Sequence, residues 1–109
     1  LIADRTRLYR AVRAAEAISL LDIGAFWNPP GSEVKYFARY RRGAVAYARL
    51  AAKYAEGTYY LFATWIETDR LLPEFELSLD NGIASVVLTT DLLASLSPPE
   101  CLGDIDDGT

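Results

Sequence analysis

No histidine occurs among the 109 residues, and cysteine occurs once. The first absence removes Ser-His and Cys-His nucleophile activation together with the commonest metal ligand. The second excludes an internal disulfide and any zinc site built from several cysteines, and Cys101 alone leaves the redox compartment open. No apolar run approaches the roughly 18 residues of a membrane-spanning helix, so no membrane partner is expected. The opening LIADRTRLYR has neither an initiator methionine nor a basic-then-apolar leader pattern, and reads as the start of a soluble piece of a longer protein, cytoplasmic or exported with it. Any catalysis is left to Arg, Lys, Tyr, Ser or carboxylates.

What is present is apolar and aromatic: 51% of residues are hydrophobic, with seven tyrosines and two tryptophans, enough for one domain with a buried core over residues 1 to 109. The net charge of -4 is unevenly spread. Residues 35 to 53 carry Lys35, Arg39, Arg41, Arg42, Arg49 and Lys53 and no acid, a local charge of +6. From residue 67 onward ten acids face only Arg70, a local charge of -9. The middle segment is therefore either an anion-facing surface or a solvated helix face, and the acidic remainder argues against nucleic acid as a partner.

Residues 7 to 12, RLYRAV, alternate as a strand, and 14 to 24, AAEAISLLDIG, show helical spacing that stops at Gly24. The Asn-Pro-Pro-Gly corner follows, with Pro29 and Pro30 reducing the entropy of holding a fixed loop. VKYFA (34 to 38) reads as a second strand. RRGAVAYARLAAKYAEG reads as a helix presenting Ala44, Tyr47, Ala48, Ala51 and Tyr54 on one face and ending at Gly57. TYYLFATWIET (58 to 68) has the composition of a strand buried on both sides. FELSL, a turn at Asp80-Asn81-Gly82 and IASVVLTT make a hairpin; DLLASL makes a short helix; the tail from 103 to 109 is expected to fray. The order predicts an α+β domain, two main helices against a small mixed or antiparallel sheet.

LYRAV, the G-x-F-x-NPPGSE loop, KYFA, the Ala-rich helix with A-x-x-Y-A and the YYLF strand together resemble the ADP-ribosyltransferase superfamily, over about residues 8 to 100. They are most similar to small domains at the C-termini of bacterial polymorphic toxins, and the WNPPGS loop resembles the RES family of NAD-consuming toxins. The resemblance implies NAD as substrate, a protein acceptor and, for a toxin-type effector, an immunity protein as partner. It also implies that Arg10 holds the NAD phosphate or ribose region, as a guanidinium fork can. Alternation places Arg10 on the face of Leu8 and Val12, where it either opens into a cleft or pairs with a neighbouring acid. Tyr36 matches the aromatic that stacks on the nicotinamide ribose, or is a core tyrosine with its hydroxyl bonded. Asn28 and Ser32 are expected to line the mouth of the pocket, the reason for so constrained a corner.

Catalytic members carry a late glutamate on the strand corresponding to IASVVLTT, and that strand has no acid. The helix glutamate of RES proteins is also missing, since AVAYARLAAKY contains none. Glu33 and Glu67 are the fallback carboxylates, each also readable as a solvated or ion-paired surface acid, and Asp80, before the last hairpin strand, is the second candidate beside Glu33. Two readings remain: NAD-dependent ADP-ribosyl transfer or NAD glycohydrolysis, and a catalytically degenerate module of the same fold that binds a ligand or partner.

Overall fold

The computed structural model describes residues 4–54, 57–79 and 82–105. Strand β1 (Arg5–Arg13) sends Leu8 and Val12 to one side of the sheet and Tyr9 and Ala11 to the other, and it ends where Ala14 opens helix α1 (Ala14–Ile23). Gly24 closes α1 with a left-handed φ of 75°, its N–H donating to the Leu20 carbonyl at 2.8 Å. In the corner that follows, Ser32 N–H donates to the Pro29 carbonyl at 3.0 Å. Pro30 sits at the position that wants φ near -65°, and Gly31, with φ 91°, at the one that wants a positive φ.

Strand β2 (Val34–Ala38) has the expected limits, but helix α2 (Arg41–Ala51) is shorter than its composition suggests. Ala44, Val45 and Ala48 are buried and Ala51 is the last residue with partial cover, whereas Tyr54 stands almost wholly in water. Alanine propensity alone does not prolong a helix past the surface it packs on. Residues 55–56, expected to continue it, lie outside the described residues.

Strand β3 (Tyr59–Glu67) is buried on both sides at Leu61, Phe62, Ala63 and Thr64, as a strand under two layers must be. Two single-turn 3-10 segments lead to β4 (Glu76–Leu79), which pairs with β5 (Ile83–Thr89) as the expected hairpin; Asp80 and Asn81 of its turn lie outside the described residues. Helix α3 (Thr90–Leu93) follows at once.

The expected frayed tail is corrected for residues 103–105, while its residues 106–109 lie outside the described residues. Glu100–Asp104 form β6, paired along β3, and Ile105 is buried beside Ala44 and Leu61. The apolar β3 would otherwise present an open edge, and β6 covers it. The sheet runs β4-β5-β2-β1-β3-β6, antiparallel throughout, which makes the domain α+β. Helices α1 and α3 cover one side and α2 the other. No helix among the described residues is long and apolar enough to cross a membrane.

Candidate functional site

Strand β1 pairs with β3 along all 9 of its residues but meets β2 at a single position, Tyr9 opposite Ala38. Past that position the two strands part, and Arg10 occupies the split. Its Nη1 donates to the Tyr36 carbonyl at 2.9 Å, so a side chain satisfies a strand carbonyl. Nε and Nη2 donate to the two oxygens of Glu16, in the first turn of α1, at 2.7 and 2.9 Å. The pairing is fork to fork, the strongest geometry open to a guanidinium and a carboxylate.

Lys35 completes the cluster. Alternation along β2 puts it on the side of the core residue Phe37, and only 9% of it is exposed. Its Nζ lies 3.8 Å from Glu16 Oε2, an ion pair beyond hydrogen-bond length. Two cations therefore share one carboxylate, and the cluster carries a net positive charge. Burial works to raise the Glu16 carboxyl's pKa, but hydrogen bonds and charge from Arg10, with the charge of Lys35, hold it below the ordinary range. Burial lowers the Lys35 ammonium's pKa, the Arg10 charge lowers it further, and Glu16 offsets only part.

On the α2 side of the split lies a cleft of about 360 Å³. Tyr9, Tyr36 and Tyr47 contribute to its walls with Arg10, Ile83 and Ser85, while Ala11, Ala38 and Ala44 make room. Tyr36 and Tyr47 are each nearly half exposed. No carboxylate lines the cleft among the described residues.

The structure brings Arg10 and Tyr36 together and separates them from the remaining sequence-predicted residues. Asn28 Nδ2 donates to Thr90 Oγ1 at 3.0 Å, and the Thr90 N–H and hydroxyl reach the Glu33 carbonyl at 3.3 Å. These bonds tie the Pro-Pro-Gly loop to α3, so Asn28 lines a second groove beside that helix instead of the mouth of the tyrosine cleft. Ser32 and Glu33 are exposed and line neither hollow. Asp80 lies outside the described residues.

Sequence reasoning missed the pairing of Glu16 and Lys35 with Arg10, and missed Tyr9. One signal was available: Lys35 and Phe37 share a strand face, so an inward Phe requires an inward Lys. Nor do the cations of 35 to 53 form one surface. Lys35 joins the α1 side, Arg39 pairs with Glu76, and Arg42 stacks over Tyr40. Set beside known proteins, the chain matches no family model, no curated protein and no solved structure.

Proposed function

We propose that this chain binds NAD in the tyrosine-lined cleft, as a domain of the ADP-ribosyltransferase type. The observation that carries the reading is the placement of three tyrosines and Arg10 around one hollow where β1 and β2 part. Aromatic faces take the planar adenine or nicotinamide ring, and a guanidinium takes a phosphate. A volume of about 360 Å³ is near the low end for small-molecule sites, so one ring-bearing half of the dinucleotide fits inside and the other lies along the open mouth. Phosphate oxygens would replace Glu16 on part of the Arg10 fork, with Lys35 keeping the surroundings positive.

ADP-ribosyl transfer to a protein acceptor, or NAD glycohydrolysis, is the second reading, the activity of a toxin-type effector opposed by an immunity protein. As nicotinamide leaves, positive charge develops on the ribose, and a carboxylate must face it. Asp80 is the acid favoured for that role over Glu33, because it stands three residues before Ile83, which lines the cleft, whereas the Glu33 loop is tied to α3.

Calorimetric titration with NAD, with a parallel assay of released nicotinamide, tests both. Arg10→Ala and Tyr36→Ala each weaken NAD binding by about 1.5 to 3 kcal/mol, the scale of a charge-assisted hydrogen bond or a stacked base. Unchanged affinity in both variants rejects the cleft. Asp80→Asn lowers nicotinamide release about 100-fold with affinity kept. Wild-type protein that binds NAD and releases no nicotinamide rejects the second reading and leaves the first.

A further inference from the structure

Helix α1 is apolar on two sides. Ala17 and Leu20 are buried against the sheet, yet Ile18, Leu21 and Ile23 are 68%, 67% and 55% exposed. A helix with apolar residues around most of its circumference is expected to be covered on more than one side. Trp27, 43% exposed, continues this surface: its indole N–H donates to Ser19 Oγ at 2.9 Å and draws the ring against α1. Beyond Trp27 a groove of about 390 Å³ reaches α3, lined by Phe26, Leu93, Leu96 and Pro98 among others and by no charged residue. Single exposed apolar side chains are ordinary, but a connected helix face and groove mark an interaction surface.

The surrounding charge says what fits there. Residues 14–34 and 82–99, which build α1, its loop and α3, contain no lysine or arginine, and the cations Arg10 and Lys35 meet α1 at its first turn, where they are held on Glu16. Asp22, Glu33 and Asp91 are exposed on these same segments. We infer that α1 and the adjoining groove dock a basic amphipathic helix of a partner protein, its apolar side chains covering Ile18, Leu21 and Trp27, one Lys or Arg reaching Asp22, which lies between Ile18 and Ser19 on the exposed face of α1, and another meeting Asp91. Such a helix laid in a groove is a recurrent recognition mode, and opposite charge on the rim selects the partner. A two-fold pairing of this face with its own copy brings like acids together, which disfavours the chain itself as occupant.

The inference is independent of the NAD reading and is tested without NAD. The probe is a synthetic amphipathic Leu/Lys helix of about four turns, with a Leu/Glu helix as its counterpart. Binding is read from Trp27 emission in a Trp65→Phe background, with circular dichroism confirming the fold of each variant. The Leu/Lys helix shifts Trp27 emission to the blue and binds at least about tenfold more tightly than Leu/Glu. Leu21→Asp abolishes the blue shift, and the double change Asp22→Lys, Asp91→Lys, which leaves every apolar side chain in place, reverses the preference between the two peptides. Equal binding of both peptides, or Leu/Lys binding untouched by Leu21→Asp, overturns the inference. So does self-association in sedimentation that Leu21→Asp removes, because it assigns the face to a second copy.

Discussion

On one side of the sheet the space between strands and helices is filled by Leu8, Phe26, Phe37, Phe62, Ile66 and Leu88; on the other, Ala11, Ala38, Ala44 and Ala48 meet Tyr59 and Leu61. The same strands supply both sets, so period-two alternation sorts large residues from small. Phe26 and Phe37 meet edge to face at 5.1 Å on the filled side, while the alanine side includes the 360 Å³ cleft. Large side chains leave little room and hold the fold. Small ones bring α2 close at one end and leave a hollow where β1 and β2 separate. Stability thus belongs to the filled side and the ligand binding proposed above to the other, and substitutions should divide accordingly.

The largest effect is expected on the filled side. Phe62→Ala removes a fully buried ring and costs about 3 to 5 kcal/mol in urea unfolding. A loss below about 1 kcal/mol would mean that this side is not the stabilising one.

Next comes the ion cluster between the sides. Glu16→Gln leaves Arg10 and Lys35 without their anion and costs about 1 to 3 kcal/mol, less than for a fully enclosed pair because Glu16 is partly exposed. The pH dependence has a definite sign. The Glu16 carboxyl is held below its ordinary range, so its contribution is complete above that range and is lost as pH falls through the folded-state value. Glu16→Gln should therefore flatten the acid limb of the stability curve. Lys35, whose pKa is lowered, contributes in the alkaline limb, where stability rises as pH climbs toward the ordinary lysine range. An acid limb unchanged in Glu16→Gln would contradict the geometry of the cluster.

A matched pair of insertions sharpens the contrast between sides. Ala17→Leu forces a larger side chain into the filled core and costs about 1 to 3 kcal/mol. Ala44→Leu can enter the cleft, so its cost should be smaller by about 1 kcal/mol or more while NAD binding is lost. Equal costs, read from thermal unfolding, would erase the distinction. The smallest effect is that of Tyr36→Ala on stability, within about 0.5 kcal/mol for a half-exposed side chain.

The elements visible in the sequence are those with local causes. Gly24 ends α1 because the position needs a left-handed backbone, and β2 is found by its own alternation. β6 was missed because ECLGD, with a glycine and two acids, has little strand preference, and its partner is the distant β3. The length of α2 was over-read because alanine content says nothing of where the sheet ends. Arg10 and Tyr36 were visible as site candidates through the wording of their strands. Glu16 was not, because the chain turns from strand to helix between it and Arg10 and no fixed spacing relates the two. The sequence points Asn28 and Ser32 to the cleft mouth because the stiffness of their loop is local, whereas its anchor, Thr90, is 62 residues from Asn28 in the chain.

The most direct test of the central claim is a titration of the 15N- and 13C-labelled protein with NAD, followed residue by residue in NMR spectra. NAD in the cleft perturbs the ring signals of Tyr9, Tyr36 and Tyr47, the amide of Ser85 and the Arg10 guanidinium, and leaves Leu20 and Leu93 on the filled side unmoved. Shifts confined to the exposed arginines of 39 to 53, or no shifts at NAD concentrations in the millimolar range, about the weak limit of a specific small-molecule site, would contradict it.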